Sequence, residues 1–349
     1  MNVDAQVLRG LTARRRPSDL AAAAGRRAEP DALDFAGGRV LFVASTGGHL
    51  TELHRLSTAM GAAADSRWVT FDSEQSRSLL RDSDVSYVPY ISPRDLRGTI
   101  EAIARLRRIM AETRPVAVVS TGAAVAVSAF VAARLRGIPC HYIESVSRID
   151  GPSLTGRMVA GLRLASLRTQ QAAWAGGRWL PYPSVLSEYE SVPDRTGAGS
   201  GGPLKLFVTL GTIRPYRFDA LVDAVLATGL TDARTVWQLG ATTRDDLPGR
   251  SVTTMSAQEF RACAQEADVV ITHAGVGTAI DLLADGVYPL VVPRRRDYDE
   301  HVDDHQNQIA ALLRDQGLAE VRPVTDVDAA SLRRAALMRV RPRGERPAA

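Results

Sequence analysis

Short apolar runs alternate with amphipathic stretches along most of this chain. Residues 39–44, RVLFVA, carry five apolar residues in a row, the pattern of a strand covered on both faces of a parallel sheet. A stretch follows with Leu50, Leu53 and Leu56 on one helical face. Further strands are predicted at 67–71, 86–89, 117–120 and 141–144, with helices between them, notably 97–113 and 123–136. A polar, glycine-rich segment, DRTGAGSGG at 194–202, interrupts the pattern as a linker would. The alternation then restarts: strand 205–209, helix 218–227, strand 235–239, a short strand near 251–254 and helix 257–266. Strand 269–272, helix 279–284, strand 288–292 and a helix over 304–316 complete it. Regular alternation of this kind predicts an α/β protein of two Rossmann-like, doubly wound domains facing a cleft. The expected boundaries are a tail at 1–38, one domain at 39–193, the linker at 194–202, a second domain at 203–338 and a tail at 339–349.

The stretch 268–293 carries the most chemistry. Its strand runs into His273-Ala274-Gly275-Val276-Gly277-Thr278 before the helix begins. Glycines there let a ligand approach the backbone, and the helix N-terminus behind them offers unpaired N–H groups and partial positive charge that suit a phosphate. Asp281 sits about one turn into that helix, where a carboxylate can accept hydrogen bonds from a sugar hydroxyl. A diphosphate on the glycines with a ribose on the aspartate makes a nucleotide site.

Composition narrows the class. A length of 349 residues suits two domains, and 45% hydrophobic with 23% charged residues is ordinary for a globular protein. The net charge of +4 does not argue for nucleic acid: Lys205 is the one lysine among 43 basic residues, and the arginines are scattered rather than striped with aromatics. Cys140 and Cys263 lie far apart and form no C-x-x-C pair, so neither a disulfide nor a zinc site is expected and reducing cytoplasm is the default. No segment has the roughly 18 apolar residues of a membrane span. The arginine-punctuated stretch 158–180, with Arg157, Arg163, Arg168 and Arg178, reads either as a peripheral membrane-surface segment or as a solvated helix.

Three more glycine turns follow predicted strands: Thr46-Gly47-Gly48-His49, Thr121-Gly122 and Thr209-Leu210-Gly211-Thr212. Each alone is weak, because tight strand-to-helix turns use glycine anyway; their joint placement in both halves is informative. With them stand Ser45, Leu50 and Glu52 around the first turn, Phe207-Val208 ahead of the third, Tyr142-Ile143-Glu144-Ser145-Val146-Ser147-Arg148, Ser153-Leu154-Thr155-Gly156-Arg157 and Glu300-His301-Val302-Asp303-Asp304-His305-Gln306. On these residues the chain resembles the glycosyltransferase-B enzymes whose C-terminal half is of the family-28 type. Within them it is most similar to the two-component N-acetylglucosamine transferases of lipid-linked oligosaccharide synthesis and the paired bacterial exopolysaccharide enzymes, fused over about residues 39–320.

The resemblance implies a UDP-sugar donor in the C-terminal half, with no cofactor and no metal. Gly211 and Thr212, with Gly275, Val276, Gly277 and Thr278, would cradle its diphosphate; Asp281 would take the ribose and Gln306 the donor sugar. His49 would be the general base or position the acceptor, and a near-neutral imidazole suits base work. Gly47, Gly48, Gly122, Glu144 and Arg148 would form the acceptor side. The implied reaction is inverting transfer to a hydroxyl, on a lipid-diphosphate-linked glycan precursor, at the cytoplasmic side of a membrane. A soluble small-molecule acceptor, a nucleotide-sugar epimerase and a nucleotide-binding scaffold are the alternatives.

Several residues also carry plainer readings. His273 serves equally as a phosphate or sugar contact and as a satisfied buried group. Glu144 and Arg148 either bind acceptor or pair with each other. His301 and His305 have the i,i+4 spacing of a zinc pair but lack an evident third ligand, and Glu300, Asp303 and Asp304 suit a solvated helix start. Arg294-Arg295-Arg296 reads as a solvated loop in preference to a phosphate clamp.

Overall fold

Fully buried four-residue strands seed both halves. In the computed structural model, residues 32–90, 96–194, 202–211, 215–295, 300 and 305–344 are described. Strand β1 (Val40–Val43) is buried along its whole length, as are β4 (Ala117–Ser120) and β9 (Leu206–Thr209), which fits central strands covered on both faces. The first half continues with α1 (Gly48–Ser57), β2 (Arg67–Phe71), α2 (Glu74–Leu79), β3 (Asp84–Val88), α3 (Leu96–Thr113), α4 (Ala124–Arg134) and β5 (Cys140–Glu144). It ends with α5 (Leu154–Gly161), β6 (Ser166–Thr169), β7 (Trp179–Pro181) and β8 (Tyr189–Pro193). The second half adds α6 (Asp219–Ala227), β10 (Val236–Gln238), β11 (Arg250–Val252), α7 (Ala257–Glu266), β12 (Val269–His273), α8 (Val276–Ala284) and β13 (Leu290–Val292). It closes with α9 (His305–Asp315), β14 (Glu320–Val321), α10 (Ala329–Ala336) and β15 (Met338–Pro342).

Among the described residues the strands form a seven-stranded sheet in the order β3-β2-β1-β4-β5-β6-β7 and a six-stranded sheet in the order β11-β10-β9-β12-β13-β14. Neighbouring strands within each run parallel. Both sheets start from a central strand, build outward to one edge, then cross to the other side. That reversal, between β1 and β4 and again between β9 and β12, is the switch point at which open α/β sheets hold ligands. The two parallel-sheet α/β domains expected from the alternation are present.

One apolar cluster runs across the junction of the halves. Leu50, Leu53 and Leu56 of α1 share it with Ile280 and Leu283 of α8 and with Ile309 of α9. The seam is therefore part of the core, and α1 packs along α8. A small antiparallel pair, β8 with β15, joins the end of the first half to the end of the chain, in register from Tyr189–Pro342 to Pro193–Met338.

Four expectations change. The tail expected from 339 begins as strand: Val340 is buried, and its N–H donates to Gly286 O at 3.0 Å. Within 1–38, residues 1–31 lie outside the described part, but Leu33 is buried in the apolar cluster that includes α1, and the Phe35 N–H donates to Met60 O at 2.9 Å. The stretch 158–180 is not one surface segment: α5 ends at Gly161, Arg163 adopts φ 53, and two strands follow, with Leu167, Arg168 and Thr169 all buried. The helix expected from 279 starts at Val276, so the glycine loop is itself the helix start. Most of the expected linker, 195–201, lies outside the described residues. Among the described residues no helix is long and apolar enough to cross a membrane.

Candidate functional site

The glycine turns that follow β1, β4, β9 and β12 all stand at the two switch points. The helices they open begin differently from four others. Helices α2, α5, α7 and α10 are capped by their own side chains, Ser73, Ser153, Ser256 and Asp328. Helices α1, α4 and α8 begin at Gly47, Ala123 and Gly275 with no side-chain cap. An uncapped start leaves backbone donors and the positive end of the helix dipole for a ligand.

On the first half, Gly47 has φ 87, open to glycine alone at little cost, and its peptide is gripped by Gln75. The Gly47 N–H donates to Gln75 Oε1 at 2.6 Å, and Gln75 Nε2 donates to Gly47 O and to Thr51 Oγ1, both at 3.2 Å. Thr121 Oγ1 donates to His49 O at 2.8 Å, which ties the turn after β4 to the turn after β1. Gly122 has φ 137 and backs the His49 ring: a Cβ there would lie 2.9 Å from His49 Cε1. Ala123 is held at φ 67, a strained backbone for a residue with a side chain, and such strain concentrates at functional sites. His49 is partly buried, and its Nδ1 has no hydrogen-bond partner. Burial, and then the charge of Arg148, hold its pKa down to about 4 against the Thr121 hydrogen bond, so the imidazole is neutral at pH 7.

On the second half, the His273 ring is buried between two glycines. A Cβ on Gly211 would sit 2.5 Å from His273 Cε1, and one on Gly275 the same distance from His273 Nε2. The ring is thus the packing reason for glycine at both positions, and Thr272 Oγ1 lies 3.4 Å from its Nδ1. Val276, Gly277 and Thr278 form the first turn of α8. Thr212 lies outside the described residues, as do His301, Asp303 and Asp304.

The two turns meet. A Cβ on Gly48 would lie 3.1 Å from Val276 Cβ and 3.4 Å from Gly277 N, and one on Gly277 would lie 3.3 Å from Gly48 Cα. The uncapped starts of α1 and α8 are therefore side by side, with His49 in the first turn of one of them. Asp281, further along α8, is partly buried at the seam with α1. Burial pushes its carboxyl up to about 6; the charge of Arg55 from α1 is the largest influence opposing this.

The other acceptor-side expectations divide. Glu144 is fully buried, and both carboxylate oxygens are engaged. Oε1 accepts from Tyr142 OH at 3.0 Å, and Oε2 accepts from Ser153 N at 2.9 Å and Ser153 Oγ at 3.1 Å. It anchors the start of α5 to β5 and is closed to an acceptor, which corrects the expectation that it binds one or pairs with Arg148. Arg148 is partly exposed, and its charge acts on both His49 and Glu144. Gln306 is buried, with its Oε1 accepting the Arg294 N–H at 3.0 Å. Arg294 corrects the solvated-loop reading, since it has no exposed surface.

Two further residues tie this region to the rest of the molecule. Glu52, buried under α1, accepts the Val146 N–H at 2.6 Å and Gln170 Nε2 at 2.5 Å. Gln308 crosses between the halves: its Oε1 accepts the Ile149 N–H at 3.3 Å and its Nε2 donates to Asp150 Oδ2 at 2.8 Å. The spacing of Gln306 and Gln308 in one polar run is the only hint that this segment reaches another loop.

A model of the glycosyltransferase family 28 C-terminal domain matches residues 241–343. Over 303 residues the chain is 30% identical to the UDP-N-acetylglucosamine--N-acetylmuramyl-(pentapeptide) pyrophosphoryl-undecaprenol N-acetylglucosamine transferase of Synechococcus sp. (strain CC9311), covering 78% of this chain and 81% of that protein. The enzyme of the same name from Aromatoleum aromaticum is 29% identical over 284 residues, covering 77% and 73%. The crystal structure of Acinetobacter baumannii MurG superposes with a TM-score of 0.53 at 19% identity, over 85% of this chain and 89% of that one, a likeness of fold.

Proposed function

The chain belongs to glycosyltransferase family 28, and from that membership we propose that it moves N-acetylglucosamine from its UDP derivative to a hydroxyl of a lipid-diphosphate-linked glycan precursor. The observation that carries the reading is the identity, over most of their length, with relatives named for that reaction. The contact of the two glycine turns at Gly48 and Gly277 supports it, because it sets a candidate base beside uncapped helix starts. In this reading the acceptor hydroxyl attacks C1 of the sugar from the face opposite UDP, so the configuration inverts. The hydroxyl proton passes to the neutral imidazole of His49. The leaving diphosphate is received by the backbone donors around Gly211 and the start of α8, an electrostatic role that needs no metal ion. His273, walled in by Gly211 and Gly275, shapes that turn, and Asp281 takes the ribose.

Calorimetry of UDP against dTDP, GDP, ADP and NAD, without added metal, tests the donor half. UDP is expected to bind selectively, and Asp281→Ala to weaken it by about tenfold to a hundredfold, the worth of a hydrogen bond to a charged group. Binding that ignores the base, or that is indifferent to Asp281, would remove the site assignment.

The lipid-linked acceptor calls for a membrane-facing surface, and α5 offers one. Leu154, Met158 and Leu162 follow one another at helical spacing and are 71%, 44% and 61% exposed. Arg178, which donates to Ala160 O at 2.5 Å, joins Arg157 and Arg163 as exposed cations around this stripe, and α5 itself holds no acidic residue. We read it as lying on an anionic bilayer surface. The protein is expected to sediment with phosphatidylglycerol vesicles and not with phosphatidylcholine vesicles, and the triple change of these three residues to serine is expected to leave it in the supernatant.

A further inference from the structure

We infer that Arg294 is a positioning residue of the donor site, a buried guanidinium that holds three loops of the second half in one arrangement. The inference rests on the donor-site reading above and concerns a residue outside the glycine turns.

Arg294 follows β13 and has no exposed surface. Its Nη2 donates to Leu210 O at 2.5 Å, the carbonyl just ahead of Gly211. Its Nη1 donates to Tyr216 O at 3.1 Å and Arg217 O at 3.3 Å, on the approach to α6, and to Glu300 O at 2.9 Å, ahead of α9. The guanidinium carbon stands 4.9 Å from the centre of the Phe218 ring, a cation–π contact. The backbone is pinned as well: the Arg294 N–H donates to Gln306 Oε1, and the Arg295 N–H to Glu300 Oε2 at 2.9 Å. One side chain thus fastens the turn at Gly211, the entry to α6 and the segment that leads to Gln306.

The chemistry of the group points to geometry rather than stability. A buried charge is costly, and well-packed apolar side chains commonly serve a core as well or better. Among the described residues no carboxylate lies within salt-bridge distance of this guanidinium; carbonyl dipoles and an aromatic face hold it instead. A planar fork of five donors can bond to several carbonyls at fixed angles, whereas a lysine ammonium on a flexible stem cannot span them. Burial pulls the Arg294 pKa down to about 10, with Glu300 opposing, so the group remains a cation at neutral pH. That cation also adds positive potential behind the Gly211 turn, where an anionic donor is proposed to bind.

Arg294→Lys is the informative variant, with UDP affinity by calorimetry and separate KM values for donor and acceptor as readouts. The donor KM and the UDP Kd are expected to rise about tenfold to a hundredfold, with the acceptor KM unchanged and kcat at saturating donor within about threefold. A lower thermal midpoint with both KM values and the UDP Kd unchanged would reduce Arg294 to a packing residue and overturn the inference. Should Arg294→Lys fail to fold, Phe218→Leu removes the ring under the guanidinium while sparing the carbonyl bonds; it is expected to raise the donor KM about threefold to tenfold, and no change would overturn the inference equally. If the unaltered protein binds no UDP, the donor-site reading fails first and takes this inference with it. Selective UDP binding that is insensitive at Arg294 and Phe218 sinks the inference alone.

Discussion

His49→Ala is expected to lower kcat by about 10²–10⁴-fold, the range for removing a general base, while UDP affinity stays within a few-fold. The expectation follows from where the ring stands. It occupies the first turn of α1, Gly122 leaves room for it, and its Nδ1 has no hydrogen-bond partner, so no fold-stabilising hydrogen bond is lost with that nitrogen. The pH dependence supplies the second readout. Burial and Arg148 hold the free imidazole near 4, so the His49 limb of kcat/KM, which reports the free enzyme, should fall as pH drops through about 4, separate from the limb that Asp281 adds near 6. A bound diphosphate places negative charge near the ring and favours its protonated form, so the acid limb of kcat should stand at higher pH than that of kcat/KM. A limb near 4 that persists unmoved in His49→Gln would assign the base to another group.

Glu52→Ala is expected to cost about 3 kcal/mol of stability, because it strands the Val146 N–H and one of the two Gln170 Nε2 hydrogens in the core without an acceptor, the other still reaching Glu144 O. The same change should loosen the loop from Ser145 to Arg148, whose backbone Glu52 holds at Val146. Glu52→Gln separates geometry from charge. Burial pushes the Glu52 carboxyl up to about 7, against the opposing hydrogen bonds of Val146 and Gln170. The folded state therefore binds this proton more tightly than the unfolded chain between about pH 4.5 and 7. The stability it contributes is complete below the lower value and is lost as pH rises through the upper one, a change on the order of 3 kcal/mol. Thermal midpoints of the glutamine variant relative to the unaltered protein should consequently shift in the variant's favour between pH 5 and pH 8. A constant difference across that range would mean that Glu52 titrates as an ordinary carboxyl.

The fold class was legible because it rests on short-range pattern. Val40–Val43, Ala117–Ser120 and Leu206–Thr209 are apolar or nearly so along their lengths, and glycine turns follow each of them in the chain. That the four turns gather at switch points follows from strand order, which pattern alone suggests but does not specify. The strands β6 and β7 were hidden because Arg168 interrupts an apolar run; in the fold it is buried, with Nη1 3.1 Å from His141 Nδ1. Arg294 was read as solvent-facing for the same reason: a triplet of arginines carries the signature of a loop, and the carbonyls that bury one of them come from residues 210, 216, 217 and 300. Glu144 was read as a ligand contact because its partner Ser153 lies nine positions away, with nothing in the spacing to announce an anchor. In each case the missing information was a long-range contact.

The pairing of β8 with β15 has a consequence for the order in which the molecule can be made. Tyr189–Pro193 belongs to the first half, yet its partner Met338–Pro342 is the last of the described strands, about 145 residues further on. During synthesis at about 5–20 residues per second, the earlier strand is without its partner for roughly seven to thirty seconds. The first sheet can assemble on the ribosome in that interval, but the seam between the halves cannot close. Each new molecule therefore passes through a stage with an unpaired edge at β8 and the apolar face of α1 uncovered, and completes its cleft only once Met338–Pro342 has been made.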